Sequence, residues 1–442
     1  PALWRLSSVT PVFKKGSRDC AANYRPIAKQ ATVLKIFEKI IVSELLGHFS
    51  ENGLFTDLQF GFRPGRSVTQ LLCLCMKSWT ENFRKGQDVA FLDYEKAFDK
   101  VSHAKIIHKL QGYGIEGNLL GWFRDYFRGR LQRVSVGNSY SDYYEITSSI
   151  LQGSCLGPVL FSVFINDVVS VIPDGVQAFL FADDLQVFSS CSADLQKALS
   201  AIHSWSSLWQ LRLSPSKCTV MHIGAGPLPQ CQLYWLDGQI LIHQSPTRNL
   251  GVLVSSSLSF EPHIKRQIKL ANVAVSNVLK CFTSRRPRTM SKAFSVYVRP
   301  LLETFSPVWS PSKKALSDSL ERVQRLFTRM VYHKCLIYPI PNYDERLKFL
   351  ELEPLLSRRD KLDLCFAHKM YHVDQSSFLA CLMPHQEQPR ELRPTHRILI
   401  PVKPSTIDLI HFPCRVSTKW NSLAPELVNL SLMCFKNRLS HL

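Results

Sequence analysis

The 442-residue sequence predicts an α+β chain: an antiparallel sheet with helices around it, followed by a mainly helical C-terminal part. Three observations carry this. The apolar runs Ala178-Phe179-Leu180-Phe181 and Leu185-Gln186-Val187-Phe188 flank Ala182-Asp183-Asp184 and read as two strands joined by a tight turn. Val89-Ala90-Phe91-Leu92-Asp93 is a short β-type run ending in an acid. From Pro262 onward, apolar positions recur at helical spacing.

Taken in order, residues 1 to about 90 read as an irregular basic segment followed by helices over 31–49 and 67–85. Over 88–223 strands and helices alternate. Strands end at Asp93, span 132–136 and 143–150, and form the Asp183 hairpin; helices cover 102–110, 116–127, 158–169 and 193–211. The stretch Gly224-Ala225-Gly226-Pro227-Leu228-Pro229 reads as a break.

The chemistry starts from the adjacent acids. Neighbouring side chains on a strand point to opposite faces, so Asp183 and Asp184 address one target together only at a turn. Carboxylates in an apolar setting need a proton, a cation or a metal to offset them. Hard ions such as Mg²⁺ take oxygen ligands and are commonly held by one or two carboxylates plus substrate phosphates. Asp93, ninety residues upstream, is a third carboxylate at a strand end. Three such acids suit two ions about 3.5 to 4 Å apart, the arrangement of phosphoryl transfer.

Charge narrows the partners. The chain holds 54 Lys and Arg against 35 Asp and Glu, a formal charge of +19, which suits a polyanion such as nucleic acid and also an acidic membrane surface. Residues 1–254 carry a net +5 and residues 255–442 a net +14, so the C-terminal part is the stronger electrostatic grip. With no secretory signal and no apolar run of membrane-spanning length, an intracellular protein without a membrane partner is expected. Thirteen cysteines among mostly apolar neighbours read as reduced thiols. Cys73-x-Cys75 and Cys365-x-x-His368 complete no four-ligand set, so no structural zinc is expected.

Seven blocks in order carry a resemblance. They are Val9-Thr10-Pro11-Val12-Phe13-Lys14-Lys15-Gly16 with Asn23-Tyr24-Arg25-Pro26-Ile27; Gln59-Phe60-Gly61-Phe62-Arg63; and Phe91-Leu92-Asp93-Tyr94-Glu95-Lys96-Ala97-Phe98-Asp99. There follow Leu151-Gln152-Gly153-Ser154-Cys155-Leu156-Gly157-Pro158, Phe181-Ala182-Asp183-Asp184, Leu213-Ser214-Pro215-Ser216-Lys217 and Asn249-Leu250-Gly251-Val252. The chain resembles reverse transcriptases, specifically those of non-long-terminal-repeat (LINE-type) retrotransposons of the jockey-like branch. The resemblance implies a right-hand polymerase, with fingers and palm over 1–254, a thumb over 255–335 and a basic extension over 336–442. It implies template RNA, a DNA primer or target DNA and dNTPs as partners, and two Mg²⁺, or Mn²⁺ in their place, as cofactors. It further implies target priming, and a cytoplasmic ribonucleoprotein and the nucleus as locations. The start at Pro1, close to the first block, reads as a fragment lacking the family's upstream endonuclease.

Roles follow by position. Asp93, Asp183 and Asp184 match the metal-binding catalytic acids. Phe98, five residues beyond Asp93, matches the bulky residue beneath the incoming sugar, against the plainer reading of a core phenylalanine. Arg25 falls in the segment that folds over the triphosphate; the Lys14-Lys15 pair reads equally as a solvated turn. Gln152 is expected to hydrogen-bond template or nucleotide, and Gly153 to let the backbone approach a base pair. Lys217 matches a lysine that protonates departing pyrophosphate, or is an exposed lysine. Arg63 and Arg66 suit template phosphates. Glu95 and Asp99 are expected to pair with Lys96 or Lys100. On the helix around 320–331, Arg322, Arg325 and Arg329 line a face beside Leu320, Val323, Phe327, Met330 and Val331; with Arg358 and Arg359 they suit template RNA or target DNA, or are a solvated surface. A non-catalytic RNA-binding remnant is the alternative class, which the three intact acids disfavour. Phe98 and its neighbouring blocks disfavour a viral RNA-dependent RNA polymerase.

Overall fold

The computed structural model describes residues 2–225, 232–382, 398 and 412–439; most of the break expected at 224–229 lies outside them. The chain divides into two units. One comprises Pro1–Ser67, Gln87–His222 and Leu228–His243; the other comprises Val68–Gly86, Ile223–Pro227 and Gln244–Leu442.

The opening segment is regular, contrary to expectation. Strands β1 (Leu6–Phe13) and β2 (Tyr24–Lys29) pair antiparallel, with Pro11 opposite Pro26 and Val12 opposite Arg25. Proline argues against a strand because it removes a ladder donor. Here two prolines share one rung, so the other rungs are kept. Helix α1 (Thr32–Glu51) follows close to its predicted bounds and buries Leu34, Leu45 and Phe49. Helix α2 (Val68–Glu81), expected with the fingers, falls instead in the second unit, where Gln70 donates to Asp374 at 3.3 Å and Lys77 to the Ala380 carbonyl at 2.6 Å.

Strand β3 (Gln87–Leu92) leads through α3 (Ala97–Lys100), α4 (His103–Gly112) and α5 (Gly117–Phe127) to β4 (Leu131–Val136), β5 (Ser139–Tyr140) and β6 (Tyr144–Glu145). The strand predicted over 143–150 shrinks to β6. Its later amides bond elsewhere, Ser149 to the Val101 carbonyl at 2.9 Å and Ile150 to the Phe98 carbonyl at 2.8 Å. β4 pairs parallel with β1 and antiparallel with β5 and β6, completing an outer sheet. Helix α6 (Gly157–Ile165) passes into a 3₁₀ turn over Asn166–Val171, shorter than predicted. At the change, the Asn166 side chain accepts from Thr56 N at 2.9 Å and donates to the Leu54 carbonyl at 2.8 Å.

The hairpin β7 (Gln177–Phe181) and β8 (Asp184–Ser189) precedes α7 (Ser192–Trp209), β9 (Thr219–Ile223), the ribbon β10 (Trp235–Leu236) with β11 (Gln239–Ile240), and β12 (Ile242–His243). The central sheet runs β12-β9-β3-β8-β7. Leu92, Leu180, Leu185 and Val187 from the sheet share one core with Leu110, Leu160, Phe164, Leu199 and Ile202 from the helices. Removing such side chains from water is what holds the strands in register.

One cation sits inside this core. Lys109 on α4 donates to the Phe164 carbonyl and the Asp167 carboxylate, and its Nζ lies 3.9 Å from the Trp209 ring centroid and 4.7 Å from that of Trp205. Burial, opposed by Asp167, lowers its pKa from 10.5 to about 8. Between those values the unfolded chain holds a proton that the native one has released, so this group makes stability rise with pH from about 8 to 10.5. Lys109→Met should abolish that rise at small overall cost. Lys109→Ala, which leaves a cavity and unpairs the buried end of Asp167, should lower stability by about 2 to 4 kcal/mol; denaturant melts at pH 7.5 and 9.5 measure both.

In the second unit, β13 (Thr247–Asn249) and β14 (Val252–Val254) form a ribbon before helices α8 (Glu261–Cys281), α9 (Pro287–Tyr297), α10 (Arg299–Glu303), α11 (Ser306–Trp309) and α12 (Lys314–Cys335). Then come α13 (Tyr343–Phe349), α14 (Leu355–Val373), α15 (Gln375–Leu382), α16 (Phe412–Asn421), α17 (Pro425–Val428) and α18 (Leu432–Leu439). α12 buries Leu320, Val323, Phe327 and Val331 as its period requires; Met330, expected beside them, is exposed, and Gln324 and Thr328 are buried instead. Among the described residues, no helix is long and apolar enough to cross a membrane.

Candidate active site

Three acids meet at one end of the central sheet. β3 and β8 pair antiparallel down to Leu92 opposite Leu185, so the next positions in register are Asp93 and Asp184. β7 and β8 close with Phe181 opposite Asp184, which leaves Ala182 and Asp183 as the turn. Ala182 has φ +56°, the left-handed value that a two-residue turn needs at its first position.

The acids also feel one another's charge. Desolvation first, then the charge of Asp93, raises the Asp183 pKa, while its own backbone, Lys14 and Arg25 oppose the shift. Desolvation, then Asp183 and Asp93, pushes Asp184 up to about 6, with Lys14 opposing. Asp93 is steadied by Lys217, whose Nζ lies 3.3 Å from its Oδ1. The backbone fixes that pairing: Ser214 N donates to the Asp93 carbonyl at 2.9 Å, and Asp93 N points at Cys218 Sγ at 3.4 Å.

These donors fit a divalent cation. They are hard oxygen ligands crowded enough to resist ionising together, and a cation relieves that crowding. Among the described residues no three His, Cys, Asp or Glu side chains are gathered closely enough to hold a metal ion, so the three acids share an end of the sheet and each other's charge without forming a ready-made site. A pH effect follows. Native Asp184 holds its proton to higher pH than the unfolded chain, so its contribution to stability falls as pH rises from 3.8 to about 6 and stays lost above. Asp184→Asn should therefore stabilise the metal-free protein at pH 7.5, by under ~1 kcal/mol because the side chain is exposed and screened. It should also remove stabilisation by added Mg²⁺. Melting curves at pH 5 and 7.5, with and without Mg²⁺, check both signs.

A clamp absent from the sequence reading holds the turn. Gln59 is fully buried; its Oε1 accepts from Ala182 N at 2.9 Å and Gly61 N at 2.7 Å, and its Nε2 donates to the Ala182 carbonyl at 3.3 Å. Phe60 N donates to the Leu180 carbonyl at 2.8 Å, so residues 59–61 lie along β7. A Cβ on Gly61 would stand 2.2 Å from Ala182 N, so this approach requires glycine. The available signal was an amide among apolar neighbours, which must find a partner; its partner is 123 residues away.

The other expected residues separate. Phe98, half-buried, stacks on Phe161 with centroids 4.4 Å apart and meets Phe62 edge-on at 6.2 Å. Arg25 is exposed on β2, and Lys14, read as equally a solvated lysine, acts on both Asp183 and Asp184. Gln152 has a protein partner: its amide donates to Asp99 Oδ1 at 2.9 Å. Burial raises the Asp99 pKa, with Gln152 the first opposing influence, ahead of Lys96 and Lys100. Gly153 also has a different neighbour. At φ +115°, a Cβ there would meet the Ala28 carbonyl at 2.6 Å, so β2 rather than a base pair demands the glycine.

Arg63 and Arg66 turn inward. Arg63 donates to the Thr56 carbonyl and lies over Phe55; Arg66 grips the Asp57 carbonyl and carboxylate, each at 2.8 Å, over Phe60. These bonds stiffen the 55–66 loop. In the second unit Arg322, Arg325 and Arg329 are exposed on α12, Arg325 over the Tyr343 ring at 4.8 Å. Arg358 and Arg359 do not join that surface. Arg358 grips Glu303 through Oε1 at 2.5 Å and Oε2 at 3.0 Å, and Arg359 is fully buried against Ser317.

A strand-ended acid beside a two-acid hairpin, within this block order, defines a nucleic-acid polymerase palm. Residues 12–254, over half the chain, match the family described as reverse transcriptase (RNA-dependent DNA polymerase), and the chain belongs to that family. It is 27% identical over 325 residues to the probable RNA-directed DNA polymerase from transposon BS of Drosophila melanogaster, covering 70% of this chain and 35% of that relative. It is 27% identical over 279 residues to the RNA-directed DNA polymerase from mobile element jockey of the same species, covering 60% and 30%. With the probable RNA-directed DNA polymerase from transposon X-element, also of that species, identity is 23% over 359 residues, covering 75% and 38%. The chain spans about a third of the length of these relatives. Its sequence is of the non-LTR, LINE-type branch, and its α+β fold is that of a right-hand polymerase.

Proposed function

We propose that this chain is the polymerase portion of a retrotransposon RNA-directed DNA polymerase, adding dNTPs to a DNA 3′-hydroxyl on an RNA template, with target priming. Fingers and palm lie within 1–254, the thumb within 255–335 and a basic extension within 336–442. The observation that carries the reading is the register of β3 on β8, which brings Asp93 beside Asp184 and the Asp183 turn. Two Mg²⁺ held by these acids, when bound, supply the positive charge that activates the hydroxyl and steadies the triphosphate. The remaining work falls to this chain's own residues. Lys14 and Arg25, whose charges reach the acids, meet triphosphate oxygens, Arg25 offering the two-pronged geometry of guanidinium. Lys217, held beside Asp93, carries a proton close to where pyrophosphate leaves. Gln152 braces Asp99 and with it α3, the short helix that bears Phe98. Exposed Arg322, Arg325 and Arg329 contact template RNA or target DNA.

Primer extension on an RNA template with dNTPs or rNTPs tests this. Chelator-sensitive extension with dNTPs is expected; no extension, or a preference for rNTPs, refutes it. Phe98→Ala should raise the kcat/KM for rNTPs relative to dNTPs by roughly 10- to 100-fold, since the ring excludes a 2′-hydroxyl by bulk. An unchanged ratio returns Phe98 to a packing role on Phe161.

A further inference from the structure

The second unit contains a cleft of about 460 Å³ that the polymerase site does not use, lined by residues of α2, α9, α10, α14 and α18. Arg299, Lys369 and Lys436 bring cations to its wall, Glu303 is its acid, and Phe305 and Phe366 supply rings. Glu303 is already engaged. Both carboxylate oxygens of Glu303 accept from Arg358, at 2.5 and 3.0 Å, leaving Arg299 Nε at 3.8 Å from the same carboxylate, beyond a hydrogen bond. The nearby Glu353 is met by Lys361 at 3.0 Å. Arg299 is nonetheless three-quarters buried, its side chain 24% exposed. Burial, then the charge of Arg358, lowers the pKa of Arg299, so an added anion is favoured there.

We propose that this cleft binds single-stranded nucleic acid, one phosphate on Arg299 with Lys369 and Lys436, and the adjoining base against Phe305 or Phe366. Guanidinium receives a phosphate through two parallel hydrogen bonds, and base–aromatic stacking is tolerant of sequence. The volume lies in the range of sites that enclose a nucleotide-sized group. A strand fits better than a free nucleotide, because the +14 excess of residues 255–442 extends well beyond the cleft and only a polyanion exploits it. The inference rests on the nucleic-acid reading above and adds a site apart from the acids.

The test uses the full chain and a labelled 12-nucleotide single-stranded RNA with one 4-thiouridine. The double variant Lys369→Glu, Lys436→Glu alters exposed side chains only and should weaken binding about 10-fold or more. It should also flatten the salt dependence by about 0.7 units of slope per lost phosphate contact. Lys348→Glu, an exposed charge reversal on α13, should change affinity less than 2-fold. Photocrosslinks should fall on Phe305 or on the Cys365-Phe366 segment, and be lost in the double variant. Wild-type protein that binds no single strand overturns both readings. Normal wild-type binding that the double variant leaves intact, or that Lys348→Glu weakens equally, or crosslinks that fall elsewhere, overturns the cleft alone.

Discussion

Asp183→Asn and Asp93→Asn should each lower single-nucleotide addition by about three or more orders of magnitude, with the fold retained. The substitution keeps the side chain's shape and removes one negative ligand from a set of three, so the loss falls on charge at the reacting centre. The structure sharpens this. Asp183 shares the Ala182 turn, and Asp93 follows the last β3 residue paired to β8, so neither acid can drift to replace the other. Circular dichroism should show unchanged folding. Metal-free stability should rise slightly in Asp183→Asn, because a desolvated carboxylate held near the charge of Asp93 is replaced by a neutral amide. Extension within 10-fold of wild type by Asp183→Asn would remove the acids from the mechanism.

Gly61→Ala should produce the next largest loss, about 100-fold in the rate of addition, from a residue that touches no substrate. The added methyl would enter within 2.2 Å of Ala182 N, a backbone atom that cannot rotate away, so the turn bearing Asp183 must shift. Displacements near 1 Å are enough for such losses where reacting groups must align. Gly61 shows no left-handed φ, so alanine is not excluded by its own backbone, and most of the effect should appear in rate rather than in folding. Rapid-quench kinetics beside a thermal melt separate the two; a rate within 2-fold of wild type would mean that the turn is not held by residues 59–61.

What the sequence revealed and concealed follows from the range of the interactions. Asp93, Asp183 and Asp184 were legible because each ends or joins an apolar run, and acids crowded beside apolar strands demand a counter-charge whatever the rest of the fold does. Helices α4, α5 and α7 were legible from their own period. β1 and β2 were not, since Pro11 and Pro26 look disruptive until they are seen to share a rung, and the parallel partner β4 lies more than a hundred residues on. Side-chain partners were the least legible feature. A guanidinium reads as a phosphate ligand in any sequence, yet Arg63 and Arg66 spend theirs on the carbonyls of Thr56 and Asp57, and Arg359 lies in the core. Gln152 and Gly153 each meet a protein neighbour that the sequence does not announce, Asp99 and Ala28. Residue type announced that a polar or glycine constraint existed; only the tertiary contact named what imposed it.

The central claim, that Asp93, Asp183 and Asp184 act as one divalent-metal site, is tested most directly by Mn²⁺ binding to the free protein, followed by electron paramagnetic resonance at pH 5 and 7.5. Saturable binding is expected at pH 7.5. It should weaken about 10-fold or more at pH 5, where Asp184, with its pKa near 6, holds a proton. It should also be lost in Asp93→Asn and in Asp183→Asn. Binding of undiminished strength in either variant, or equal binding at both pH values, would contradict it.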